Sequence, residues 1–239
     1  MTTTTETRAL PILFAGPMVR ATWAGLKTNT RRVINPQPKH IEWFEHQKGW
    51  CGSFGEDAGS HNNPHRMVRC PYGKPGDRLW VRETWLELDS HHWHYLSKPK
   101  AALVEFGGRT LRNCVAYKAD CNSADSDRCR IELGYTKWTP SIHMPRWASR
   151  LTLDVTDVRV ERLQDISEEY ALAEGFMRLP ATGRVVLSRG GQYFGNSWPT
   201  ARDAFRELWD SINNTRGYSW ESNPWVWAVP FKRQQEQTQ

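Results

Sequence analysis

Lys27 and Thr30 stand three residues apart in a basic stretch, Gly25-Leu-Lys-Thr-Asn-Thr-Arg-Arg32. A lysine stripped of water loses proton affinity and can serve as a base, which turns a neighbouring hydroxyl into a usable nucleophile. The same two residues also fit an ordinary basic loop. Glu174 is the second candidate. The pattern puts it in the last turn of a helix, whose negative end disfavours an anion. A carboxylate so placed tends to hold its proton and suits a general acid, unless it simply faces solvent. A third set is Cys51, His61, His65 and Cys70, in which two cysteines flank a His-x3-His spacing. These four residue types can ligate zinc. The spacing is not that of a standard finger and no Cys-x-x-Cys occurs, so zinc is a secondary alternative and no metal is expected.

Charge supplies the fourth signal. Arg20, Lys27, Arg31, Arg32, Lys39 and Lys48 cluster early, and His143-Met-Pro-Arg-Trp-Ala-Ser-Arg150 sets Arg146 beside Trp147. Phosphates on arginine with bases on tryptophan would hold a nucleotide or a strand, and a solvated basic face would look the same. The chain lacks a Walker loop and the GxGxxG, GxSxG and HExxH patterns. Triphosphate, dinucleotide, serine-hydrolase and zincin chemistry are correspondingly disfavoured.

The chain that must position these residues has 239 of them, a net charge of +6 and a mean hydropathy of −0.70. That polarity does not imply disorder, because 13 Trp, 8 Phe and 7 Tyr can bury large areas with few aliphatics. No apolar run reaches the roughly 18 residues of a membrane span. The first residues lack the layout of a secretory signal, and five cysteines is an odd number. Reduced thiols, a cytoplasmic setting and no membrane partner are therefore expected.

Periodicity predicts a strand at 10–14, a short amphipathic helix over 17–26 and an alternating strand over 78–85. Weaker strand signals lie at 101–106 and 114–118. The clearest β pattern is 150–163, where the apolar phase slips by one residue at Thr156-Asp157, as a bulge or tight turn would cause. Asp165-Ile-Ser-Glu168 has capping-box spacing and opens a short helix that Gly175 stops. A second helix starts at Thr200 and Asp203. Trp225–Phe231 closes as a strand, with Pro230 suggesting an edge or a strand end. Residues 35–75 and 176–199 read as loops. The class is α+β: a single domain over 1–239, a small sheet or barrel with flanking helices and long insertions at about 35–74, 86–140 and 177–199.

Gly25, Lys27, Thr30 and Arg32 match the pattern Gly-x-Lys-x-x-(Glu or Thr)-x-Arg, and in this the chain resembles the ASCH domain family, which has a PUA-like β-barrel fold. Its Thr form looks like the small bacterial N(4)-acetylcytidine amidohydrolases. A gapless match of Ile166–Glu174 to the later segment of those enzymes puts their catalytic glutamate on Glu174. The resemblance covers roughly 10–34, 75–85, 150–176 and 225–232. Cys70–Trp85 and Pro140–Trp147 also resemble uncharacterised ASCH-like proteins of phages and prophages. The likeness implies a metal-independent, cofactor-free amidohydrolase that removes acyl groups from the exocyclic N4 of cytosine nucleosides or bases. Lys27, Thr30 and Glu174 would be catalytic, and Arg31, Arg32, Arg146 and Trp147 would bind substrate. The other expectation is an RNA- or DNA-binding PUA-like module, or a nuclease on the same fold.

Overall fold

The structure is a computed structural model and describes residues 7–55, 65–88, 100–106, 109–120, 137–187 and 196–234. It is a mixed α/β chain built on a curled half-barrel sheet with few helices. The sheet joins β1 (Ala9–Leu13), β2 (Asn29–Val33), β6 (Arg78–Arg82), β10 (Thr152–Val155), β11 (Arg159–Arg162) and β14 (Trp225–Arg233). β1 runs parallel to β6, and the remaining pairings are antiparallel.

β14 is the axis of this sheet. Val226 faces one core, with Leu163, Ile166, Phe205 and Trp209, while Trp227, Val229 and Phe231 face another, with Ile12, Phe14, Leu79 and Leu153. A strand buried on both faces reads as a continuous apolar run, as 225–231 does. β10 and β11 both lie on one side of β14, and their registers differ by one residue: Val155 pairs with Phe231, and Arg159 with Ala228. The apolar phase slip at Thr156-Asp157 is this bulge. Pro230 stands opposite it, where its carbonyl accepts from the Thr156 N–H at 3.1 Å. A proline inside a central strand is tolerated here because bulges relax the demand for a donor.

Three small sheets hang on the half-barrel. β3 (His40–Phe44), β4 (Gly49–Ser53) and β5 (Arg66–Val68) form one, inside the stretch expected to be loop. Its strands are short and only β4 is largely buried, so they show no clear apolar alternation, and at Gly52 a Cβ would press on the Pro38 and Val68 side chains at 3.1 Å. β7 (Trp85–Leu88), β8 (Lys100–Phe106) and β9 (Arg109–Tyr117) form the second, which accounts for both weaker strand signals. The strand expected at 78–85 is therefore two, in different sheets. It breaks at Glu83, whose buried carboxylate takes a two-pronged grip from Arg150 at 2.9 and 3.0 Å. The third, β12 (Phe176–Arg178) with β13 (Val185–Leu187), also falls in an expected loop.

The helices are α1 (Gly16–Trp23), α2 (Glu168–Leu172) and α3 (Ala201–Asn213). α2 is capped by Ser167 rather than Asp165: the Ser167 hydroxyl accepts from the Tyr170 N–H. α3 begins as expected, with Thr200 accepting from the Asp203 N–H. It lays Ala204, Phe205 and Trp209 into the second core.

The Gly76-Asp77 turn behaves as its sequence suggests. The Asp77 carboxylate is 1% exposed and accepts from the backbone N–H groups of Arg8 and Lys74 and from the Arg8 guanidinium. Burial works against its charge, yet these donors hold it below its ordinary value. Gly73 crowds it at φ +91°, where a Cβ would lie 2.7 Å from Asp77 Oδ2. Gly73→Ala should cost about 2–3 kcal/mol, from left-handed strain and a displaced carboxylate. Gly183→Ala, also at positive φ but facing open space, should cost about 1 kcal/mol. Urea unfolding midpoints with unchanged slope would measure both.

Candidate active site

The site starts at the end of α1. The Gly25 N–H bonds to the Thr22 carbonyl and the Leu26 N–H to the Ala21 carbonyl, with Gly25 at φ +74°. This paired arrangement is the Schellman close of a helix, which favours glycine at that position. It turns the chain so that Lys27 points inward and β2 begins two residues later. The glycine of the Gly-x-Lys pattern is thus the stop that aims the lysine.

The end of α2 meets it. The Ala173 carbonyl accepts from both the Thr28 and Asn29 N–H groups, at 2.9 and 3.1 Å, and Lys27 and Glu174 form an isolated antiparallel bridge. Gly175 must be glycine: at φ +113° a Cβ would lie 3.0 Å from Ala21 and 3.4 Å from Lys27. The Lys27 side chain is 1% exposed, and its ammonium donates to Glu174 Oε2 at 2.6 Å, Asn29 O at 2.8 Å and Glu174 O at 3.1 Å. All three ammonium hydrogens have an acceptor. Burial drives the Lys27 pKa below its ordinary value of 10.5, and the Glu174 charge opposes that fall.

Arg31 holds the other carboxylate oxygen. Its Nη1 donates to Glu174 Oε1 at 3.2 Å and its Nε to Glu161 Oε1 at 2.7 Å. The helix α2 has only five residues. The field around Glu174 is therefore set by two cations, and not by the helix end that the sequence pattern suggests. Arg32 points to the opposite face of β2, above the Phe14 ring at 5.8 Å, and donates to Leu13 O at 2.7 Å. Its Nε is buried without a partner among the described residues.

A cavity of about 290 Å³ opens beside these groups, close to the lower bound for small-molecule pockets. Thr30, Arg31, Arg32 and Glu174 line it, whereas Lys27 sits behind Glu174 and does not. Its floor is the edge of β2 that has no strand partner among the described residues. Thr28 and Ile34 bond to β14, so in the alternating ladder Arg31 and Val33 turn their N–H and C=O groups away from it. Met18 and Tyr72 stand with Arg32, while Phe205, Leu208 and Trp209 of α3 stand on the Arg31 side. Arg216 and Tyr218, beyond α3, complete the lining.

The structure thus brings Lys27, Thr30, Arg31, Arg32 and Glu174 together. Arg146 and Trp147 lie apart from the cavity: Arg146 stands over Trp80 at 5.7 Å, and Trp147 packs edge-on against Trp85 at 5.8 Å. Cys51 is buried and donates to Gln47, Cys70 is half-buried with its thiol pushed up to about 11 by burial, and His65 packs near Phe44. His61 lies outside the described residues. No group of three potential metal ligands assembles among the described residues. Glu161, Tyr72 and Arg216 carry no signal in the sequence, since each gains its role only from a partner distant along the chain. No helix described is long and apolar enough to cross a membrane. No family model, curated protein or solved structure matches the chain.

Removing the Glu174 charge leaves a buried ammonium with less compensation. Glu174→Gln should lower stability at neutral pH by about 3–5 kcal/mol. Lys27 titrates below its unfolded value, so the unfolded chain binds more protons in that window and stability rises with pH there. The cost of Glu174→Gln should therefore shrink as pH rises through the Lys27 titration, because a neutral amine gains nothing from a carboxylate. Urea unfolding of both proteins across alkaline pH would test the sign.

Proposed function

We propose that the chain is an ASCH-type, PUA-like amidohydrolase that removes acyl groups from the exocyclic N4 of cytosine derivatives. The observation that carries this reading is Glu174, a carboxylate at the wall of a small cavity with one oxygen on Lys27 and the other on Arg31. An acid–base group must be held in one orientation and still touch the substrate. Glu174 is held by two cations and lines the cavity, which supports the role.

The geometry favours attack by water. Lys27 spends its hydrogens on Asn29 and Glu174 and makes no bond to Thr30. Glu174 then takes a proton from water as its oxygen bonds to the acyl carbon. The carbonyl oxygen gains the negative charge. As the intermediate collapses, the C–N4 bond breaks and Glu174 returns the proton to N4, releasing the amine and a carboxylic acid. Thr30, 2% exposed at the cavity wall, positions the water or the acyl oxygen. Lys27 and Arg31 act as positioning residues through Glu174.

The nucleic-acid alternative has weaker support. Three exposed or half-buried indoles are already covered by the chain's own guanidinium groups: Trp80 by Arg82 and Arg146, Trp225 by Arg162, and Trp23 by Arg150 and Arg233. A stacked base would have to displace them.

Purified protein should release cytidine from N(4)-acetylcytidine, followed by ultraviolet absorbance. Glu174→Gln should lower kcat by about 10²–10⁴-fold. Thr30→Val should leave measurable turnover on the water route, whereas an acyl–Thr30 route would abolish it. Lys27→Met should shift the pH profile of any residual activity. A folded protein without turnover would overturn the proposal.

A further inference from the structure

Charge around the cavity does not balance. Arg31 and Arg32 line the cavity from opposite faces of β2 with Lys27 behind Glu174, and the carboxylates of Glu174 and Glu161 are engaged by Lys27 and Arg31. Arg32 is left over. It makes no ion pair among the described residues, and neither does Arg216, which lines the same cavity. Burial lowers the Arg32 pKa, Arg216 lowers it further, and the Glu174 charge opposes that fall. Arg32, half-buried with its Nε unmet, and Arg216, exposed at the rim, line one cavity without a carboxylate paired to either among the described residues, an incomplete arrangement. A dianion between them would supply the missing charge and acceptors.

The rest of the cavity suits what such an anion would be attached to. The Arg31 and Val33 N–H and C=O groups present donors and acceptors along that β2 edge, as a planar heterocycle with mixed edge groups requires. Tyr72 and Met18 flank that edge on one side, and Phe205 and Trp209 on the other. A base lying on the strand edge would put its exocyclic nitrogen toward Glu174 at one end and its sugar toward Arg32 and Arg216.

Building on the deacylase reading, we infer that the site takes a cytosine nucleotide rather than a free nucleoside, with the phosphate held between Arg32 and Arg216. Lys27 and Arg31 cannot serve this purpose because Glu174 and Glu161 already engage them. The phosphate could belong to a free mononucleotide or to a polynucleotide, and both carry the same chemistry into this corner.

Binding reads the inference without turnover. Calorimetric titration of the wild-type protein with cytidine, 5′-CMP, 3′-CMP, 5′-AMP and a short oligocytidylate would be repeated on Arg216→Gln. A CMP isomer should bind at least about tenfold tighter than cytidine, and Arg216→Gln should bring that ratio toward one. Equal affinity for cytidine and both CMP isomers would overturn the inference. Equal affinity for CMP and AMP would overturn the cytosine assignment. Tightest binding of the oligocytidylate would identify the polymer as the source of the phosphate, and of CMP the free nucleotide. Tight CMP binding without hydrolysis of acylated cytidine would remove the proposed function and leave this inference standing.

Discussion

The site depends on how buried charge is compensated. Lys27 is almost fully removed from water, and an unpaired ammonium there would be prohibitive. Its compensation comes from Glu174, 147 residues away, which is in turn oriented by Arg31 and, through Arg31, by Glu161. The cluster ties the end of α1, strand β2, the end of α2 and strand β11 to one another. A buried ion network of this kind contributes little net stability compared with apolar packing, and its value lies in allowing one arrangement. The shared backbone carbonyl of Ala173 adds two uncharged bonds at the same junction. Movement of either helix end would therefore break charged and neutral contacts together.

Water exposure then divides the labour. Lys27 and Glu174 are partners, yet only Glu174 reaches the cavity. Sequence patterning marks both as chemical candidates with no means of ranking them, since reactivity depends on which group faces substrate. The depth of Lys27 leaves it in contact with Glu174 and away from the cavity. Arg31 and Arg32, adjacent in sequence, diverge for an elementary reason: consecutive residues in a strand point to opposite faces. One stabilises the carboxylate, and the other is left with spare charge.

Much of the framework was legible because apolar alternation and end signals report burial directly. β14, the β10–β11 bulge, the Thr200 cap and the Gly175 stop all follow from such patterns. β2 was not legible. Asn29, Thr30 and Arg31 are buried polar residues, and a polar run reads as loop unless its distant carboxylates are known. The β3–β5 sheet was hidden for a different reason: β3 and β5 are short and mostly exposed, and the buried β4 is interrupted by Gly49 and Gly52. Within the site, the Lys27–Thr30 spacing and Glu174 were visible as residue types. The cavity that Thr30 and Glu174 share was not, since α3 and Tyr72 supply its walls from far along the chain. Arg146 and Trp147, a suggestive neighbouring pair in the sequence, stand beside Trp80 and Trp85 and apart from this cavity.

The position of β14 bears on the order in which the molecule can assemble. β2 has β14 as its strand partner, and α2 must close over Lys27 from the same late half of the sequence. While a chain is being synthesised, Lys27 emerges early and stays hydrated as an ordinary surface lysine. Its desolvation and its pairing arrive together, when the late elements dock. The half-barrel thus keeps its costliest charge in water until the compensating carboxylate is at hand, and no partly folded chain carries the assembled pocket.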